Sequence, residues 1–457
     1  MSDTAPDNGK TPFVAWYLSV LFGIFFVLSF VDRQIIAVLI PYIKEDLQLT
    51  DLQLSYIGGL SFVIFYTLMG IPIGRMVDMF NRKIILFVGI LIWTSATAVC
   101  SLAGTYWHLL FLRMGVGIGE ATLAPCSFSI LADVFPRKRL ATAIGICTTG
   151  AAIGLGLAYL GGALVLDWTA TYLANDDGTV SIPLLGDLAP WRFVLLVVGV
   201  PGMLLAFLIF TFKEPARKNL VAPTTPGAVS ENQIPSIKEV LIYARSHWRA
   251  YLYIYLATGF VSLSVYAGGF WDIVMMDRVF DWPPAQAGIY YGLLTIVGQM
   301  MGNLGGGYFA DYLSIKRGKD SKIVVVTLGA FACIWFCLFY PLMPNEHLSL
   351  ALIIPAVLLK SVPYGVIGAA IQVMSPARMR GQMTALYYLV ISLIGMAIGP
   401  TAVAFMTEQV FENLYMVGFS IAIIGAVAQL LAFIFYFMAL KPYQLAIAAI
   451  SETERGE

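Results

Sequence analysis

The sequence predicts an all-α polytopic membrane protein, with twelve transmembrane helices in two pseudo-symmetric six-helix bundles. Three observations predict it. Of 457 residues, 59% are hydrophobic and 12% charged, about half the charged share of a soluble domain. Apolar runs of about 20 residues, the length that crosses a bilayer core as a helix, recur along the chain. The basic residues fall on alternate loops, as the preference of Lys and Arg for the cytoplasmic side requires.

Residues 1–12 are polar and partly acidic, unlike the basic leader of a cleaved signal peptide. They read as an N-terminal tail, and the first apolar run as a retained span. Spans follow at 13–40, 53–76, 83–104, 107–132, 140–165 and 190–212, which make a first bundle over 13–212. Residues 213–248 are a linker. Its Pro- and Thr-rich stretch APTTPGAVSENQIP is irregular, and Ser236 to Trp248 reads as a short amphipathic helix at the membrane surface. A second bundle over 249–440 holds spans at 250–276, 285–310, 322–343, 348–373, 382–407 and 413–440, and 441–457 is a C-terminal tail. Of the 27 Lys and Arg, only Lys44, Arg192 and Arg278 fall on the outer side, and only Arg33, Arg113 and Lys360 inside spans. Both termini are therefore expected in the cytoplasm, at a cell membrane (the inner membrane in a bacterium).

The halves repeat one another. Gln53 and Gln286, Gly59 and Gly292, Gly74 and Gly307, and Asp78 and Asp311 share an offset of 233; Arg139 with Arg380 and Gly154 with Gly395 repeat at 241. Duplication of this kind places a transport site between the repeats. Other classes find no support. Net charge is zero, which argues against nucleic acid. Cys100, Cys126, Cys147, Cys333 and Cys337 all sit in apolar runs and read as small buried hydrophobes rather than disulfides or metal ligands. His108, His247 and His347 are scattered near span ends, and no phosphate loop or metal-ligand spacing is present. No catalytic residue, metal or cofactor is expected, and the chain reads as a monomeric transporter, not an enzyme or sensor.

Charges at membrane depth cost roughly 2.5–3.5 kcal/mol each, so those that persist mark function. Arg113 and Glu120 are seven residues apart in span four, about two helical turns, on one face and about 10 Å apart. Asp32 in span one lies at the depth of Arg113. The expectation is that Asp32 and Glu120 exchange protons while Arg113 shifts its pairing between them; the rival reading is a permanent ion pair pinning span one to span four. Arg33 points about 100° away from Asp32 and has three readings: the outer interface, another partner, or an anionic headgroup. Lys360, in the middle of span ten, reads as a ligand for a phosphate or carboxylate on the cargo, or as a carbonyl-bound lysine. Tyr266, Trp271, Asp272, Gln299 and Asn303 are candidates to line the second bundle.

The loop after span two reads Gly74-Arg-Met-Val-Asp78-Met-Phe-Asn-Arg82-Lys83, where Asp and Arg can pair across helix ends. It resembles the G-x-x-x-D-R-x-G-R-[RK] signature of the major facilitator superfamily, with Met79 and Asn81 departing from it; a degenerate copy, Gly307 to Asp311, follows span eight. Gly74, Asp78, Arg82, Lys83 and Asp133 form the expected cytoplasmic gate. Within that superfamily the chain is similar to the spinster family of lipid transporters. Asp32-Arg33, Arg113-Met-Gly-Val-Gly-Ile-Gly-Glu120-Ala, Pro125, Leu131-Ala-Asp133-Val-Phe135, Trp191-Arg192 and Glu214-Pro215 carry the likeness. The resemblance implies alternating access by two bundles and amphipathic lipid cargo. The alternative is symport of small organic anions or sugar acids, since such relatives also carry Asp-Arg in span one.

Overall fold

The computed structural model describes residues 13–175, 178–183, 185–215, 237–317, 321–376 and 379–456. The tail 1–12 and linker residues 216–236 lie outside the described residues. The first six membrane helices are α1 (Phe13–Leu47), α2 (Asp51–Met79), α3 (Arg82–Cys100), α4 (Tyr106–Val134), α5 (Thr142–Leu173) and α6 (Pro190–Thr211). The second six are α7 (Trp248–Phe280), α8 (Pro284–Arg317), α9 (Ser321–Leu342), α10 (Glu346–Val373), α11 (Arg380–Val410) and α12 (Leu414–Ala449). Eleven are both long and apolar enough to cross a membrane. The other, α8, has the length at 34 residues, but glycines, Gln299 and Asn303 dilute its hydropathy.

Side-chain caps start several helices. Thr50 and Gln53 form a capping box at α2, and Asn81, Thr105 and Asn345 accept from the third amide of α3, α4 and α10. Some ends differ from expectation. α1 passes its expected end at 40 and runs to Leu47, because Ile43 is buried and Lys44 gains a partner on α2. The outer loop between α5 and α6 carries a small antiparallel hairpin, β1 (Val180–Ile182) with β2 (Gly186–Leu188), which the sequence reading did not contain. Gly186 there has φ of 76°, a conformation that favours glycine. A linker helix covers Ile237–Ser246, and its Tyr243 donates to the Met374 carbonyl at 3.0 Å.

Packing repeats with the duplication. α1 packs on α5 and α7 on α11; α2 packs on α4 and α8 on α10; α3 packs on α6 and α9 on α12. The halves meet by exchanging partners, α5 against α8 and α2 against α11, with α1 beside α7. Two π-helical turns touch at that boundary, Tyr56–Leu60 in α2 and Leu393–Ile398 in α11. A Cβ at Gly59 would strike the Met396 carbonyl.

Take as outer the side away from the termini. There one apolar cluster spans both halves, joining Ile35, Val38 and Leu54 to Trp271, Met275 and Tyr291. Towards the termini the core divides into two clusters, one of the first half joined by Met396 and Ala397 of α11, and one of the second half alone. On the outer side Gly156, Gly288 and Gly292 press on the opposite half. The two halves are therefore closed together on the outer side and apart on the termini side.

Candidate functional site

One turn of α1 distributes three polar side chains in three directions, as 100° per residue dictates. Asp32 is buried and faces Trp93 and Thr97 of α3 and Arg113 of α4. Arg33 turns towards α2 and α4. Its Nε donates to Glu120 Oε2 at 2.6 Å, and Ser29, one turn earlier, donates to the same oxygen at 2.6 Å. Three aromatic rings, Phe30, Phe62 and Tyr66, each lie 4.8 Å from the guanidinium. Gln34 turns to α7, where its Nε2 donates to the Gly269 carbonyl at 3.1 Å, beside Tyr159 of α5, whose hydroxyl donates to the same carbonyl at 2.6 Å.

The ion pair differs from the one expected. Glu120 pairs with Arg33, and Arg113 instead donates to the backbone carbonyls of Asp32 at 3.0 Å and Arg33 at 3.3 Å. The reason is geometric. Ser29 and Arg33 stand one above the other on α1 opposite Glu120, while Arg113 lies two turns along α4 and meets α1 at its backbone. Glu120 Oε1, Asp32 Oδ1 and Thr97 Oγ1 are buried with no hydrogen-bond partner among the described residues, so both carboxyl groups keep an open oxygen.

The candidate cargo residues separate into two sets. Tyr266 of α7 packs against the cluster of the first half, near Arg33. Trp271 is fully buried and donates to the Pro400 carbonyl at 2.9 Å. Lys360 is buried inside the second half, with Nζ donating to the Ser264 carbonyl at 3.3 Å and lying 5.4 Å from the Tyr340 ring. This is the carbonyl-bound alternative for Lys360.

On the termini side Arg82 holds three chain segments. It donates to Asp133 at 2.5 Å, to Glu214 at 2.9 Å, to Ser129 at 3.0 Å and to the Pro215 carbonyl at 3.0 Å. Glu214 also accepts the Arg82 and Lys83 amides at 3.2 and 2.9 Å, so a carboxylate closes the positive end of α3. Lys83 donates to the Phe212 carbonyl at 2.5 Å. Gly74 and Asp78 lie on the exposed end of α2. Sequence reasoning did not place Glu214 in this cluster, although its position just after span six, opposite Arg82, was the available signal. Arg82→Ala removes a buried cation from two carboxylates, a loss of about 2–4 kcal/mol. Thermal unfolding in detergent is expected to drop by several degrees, with Arg82→Lys recovering part; unchanged melting would mean that this cluster does not hold α3, α4 and the end of α6 together.

The outer side carries a joint that sequence reasoning missed. Asp51, the first residue of α2, is buried; it receives Lys44 of α1 at 2.5 Å and both terminal nitrogens of Arg278 of α7 at 2.5 and 2.7 Å. Glu408 of α11 accepts the Asp51 and Leu52 amides at 2.5 and 3.2 Å. Two elements of the second half thus grip the N-terminus of α2. A cleft of about 460 Å³ beside it is lined by Glu45, Gln48, Asp277 and Leu414 among others.

The profile of the Major Facilitator Superfamily matches residues 22–400. An MFS-type efflux pump of Mycolicibacterium smegmatis is 26% identical over 457 residues, covering 97% of this chain and 96% of that protein. A hexuronate transporter of Bacillus subtilis is 24% identical over 321 residues, covering 66% and 67%. The sphingosine-1-phosphate transporter SPNS2 of Danio rerio is 25% identical over 330 residues, covering 69% and 60%. The crystal structure of a bacterial homologue of the human lysosomal transporter Spinster, inward-facing and unoccupied, superposes with a TM-score of 0.76 at 23% identity, covering 96% of this chain and 98% of that one. Because the family profile runs through both six-helix halves and the same fold extends over nearly the whole length, the chain belongs to the Major Facilitator Superfamily, whose members are transporters and not enzymes.

Proposed function

We propose that this transporter carries an amphipathic anionic lipid, of lysophospholipid or sphingolipid type, in a proton-coupled cycle of alternating access. The observation that carries the reading is the Arg33–Glu120 pair enclosed by Phe30, Phe62 and Tyr66 at the boundary of the two halves. A buried guanidinium needs one anion. When a proton neutralises Glu120, Arg33 loses its partner and takes the headgroup of the cargo, while the rings and Tyr266 receive the chain. When cargo leaves, Glu120 gives up its proton and reclaims Arg33. Asp32, buried with an open oxygen, is the second exchanging group, and Arg113 fixes α1 to α4 so that one senses the other.

The halves 13–212 and 249–440 rock about this boundary. Gly74, Asp78, Arg82, Lys83 and Asp133 serve the gate on the termini side, which the distribution of Lys and Arg assigns to the cytoplasm. The protein acts as a monomer in the cell membrane. The second reading, a small organic anion or sugar acid, uses the same Arg33 chemistry without the chain, and the similarity to a hexuronate transporter favours it.

Thermal shift separates the two. Lysophosphatidylglycerol and sphingosine-1-phosphate, each tested below its micelle-forming concentration, are expected to raise the melting temperature by a few degrees, as saturating ligand does; glucuronate and galactonate are expected to do nothing, and Arg33→Ala to abolish the lipid effect. A shift with the sugar acids alone overturns the lipid assignment.

A further inference from the structure

The second half holds its own buried ionisable cluster, which the cycle above does not use. Its position follows from the duplication. α4 and α10 are both capped one residue before they begin, by Thr105 and Asn345. Glu120 is the fifteenth residue of α4 and Lys360 the fifteenth of α10. Gln48 and Asp281, the left-handed residues that end α1 and α7, likewise share the 233 offset. The repeat therefore puts a cation in the second half where the first half has its carboxylate.

Lys360 has no direct acidic partner. No carboxylate lies within 4.0 Å of its Nζ among the described residues; the Ser264 carbonyl, the Tyr340 ring and the Cys337 and Cys333 thiols of α9 surround it. The same Tyr340 donates its hydroxyl to Asp272 Oδ1 at 2.9 Å. Asp272 is 2% exposed and lies on the outer part of α7, about two turns before its end at Phe280. The titratable and charged groups facing it are Tyr291 of α8, Tyr340 and Cys337 of α9, Lys360 of α10 and, from the other half, Tyr159 of α5. Thr295 Oγ1, one turn along α8 from Tyr291, is buried and unpartnered. A permanent structural ion pair closes to direct contact, because separation in a low-dielectric interior is costly. Here an aromatic ring keeps the two groups apart, so Asp272 can carry a proton or a charge without collapse of the packing.

The cluster also borders the moving boundary. Tyr159 stands edge-on to Tyr291, with ring centroids 4.8 Å apart, and bonds to Gly269, one turn before Asp272. Tyr159 belongs to the first half. When the outer sides part, it leaves with α5, and the layer between Asp272 and outer water thins to Tyr291.

The geometry points to Asp272 as a second proton-binding site, with Lys360 as its fixed counter-charge and the Tyr159–Tyr291 pair as its outer lid. The proton adds to a carboxylate oxygen of Asp272 and leaves from it, so no other reactant is needed. Only the consequence for transport, a second proton per cycle, rests on the proton-coupled reading.

Infrared difference titration of the full chain in phosphatidylcholine liposomes tests it through the carbonyl stretch of protonated carboxyl groups. One titrating band is expected to vanish in Asp272→Asn and to survive in Glu120→Gln and Asp32→Asn. In Lys360→Met that band is expected to persist with its midpoint moved by about one pH unit or more, a tenfold change in proton affinity. Should Asp272→Asn fail to fold, the Lys360→Met shift still decides. An unchanged spectrum in Asp272→Asn, or a midpoint that Lys360→Met does not move, overturns the assignment. Loss of every titrating band in Glu120→Gln plus Asp32→Asn would overturn it too while leaving the first-half mechanism standing. Loss of bands only in Asp272→Asn would do the reverse.

Discussion

In proteoliposomes, Glu120→Gln is expected to move a fluorescent lysophosphatidylglycerol down its own gradient yet to draw nothing from a proton gradient. One coupled proton sustains about a tenfold cargo gradient for each pH unit, since a pH unit and a tenfold ratio represent the same free energy. The substitution is expected to reduce that ratio to about one. The effect is large because Gln keeps the shape of Glu but neither binds nor releases a proton. It also leaves Arg33 without an anion beside Ser29, so the headgroup site is always available and cargo binding no longer follows pH. Arg33→Ala makes the contrast: proton exchange at Glu120 remains, while headgroup binding goes. If Glu120→Gln concentrates cargo against the gradient as wild type does, coupling through this pair is wrong.

The second large effect concerns the outer joint. Asp51→Asn removes the anion shared by Lys44 and Arg278 and weakens the closed outer side. Partly buried charge-assisted contacts of this kind contribute about 2–3 kcal/mol. Of the two contacts only Arg278–Asp51 crosses the halves, and if it opens when the outer sides part, its loss is expected to shift the equilibrium by roughly 30- to 150-fold towards the outward-open form. The readout is alkylation of Ala163→Cys, a fully buried position on α5 that lies against Gly288 of α8. A membrane-impermeant maleimide added outside intact cells is expected to label it at least tenfold faster in the Asp51→Asn background. Arg278→Ala is expected to act the same way, and the two together little more than either alone, because they break one joint. Equal labelling rates with and without Asp51 would mean that apolar packing alone closes the outer side. Labelling from outside also checks the assigned orientation.

Much of the architecture is a one-dimensional property. The lengths of apolar runs, the loops that collect Lys and Arg, and the offset of 233 were readable from residue order, because a bilayer selects on hydropathy and charge with little regard to neighbours. Depth was readable too: Asp32, Arg33, Arg113 and Glu120 stand out because charge in the membrane is costly, and the folded chain gathers all four around α1 and α4. Element ends were less so. α1 overran its expected end because Lys44 found Asp51, a contact supplied by another helix.

What the chain order determined alone is therefore the number of spans and the set of charges buried among them. Tertiary structure decided which partner each charge takes. Asp32, Arg33 and Gln34 are adjacent in sequence, yet helical rotation sends them to α3, to α4 and to α7, and only the packed neighbours determine that Glu120 meets Arg33. The outer joint draws on residues 44, 51, 278 and 408. No local pattern links positions so far apart, because the interactions that unite them exist only once the two halves close.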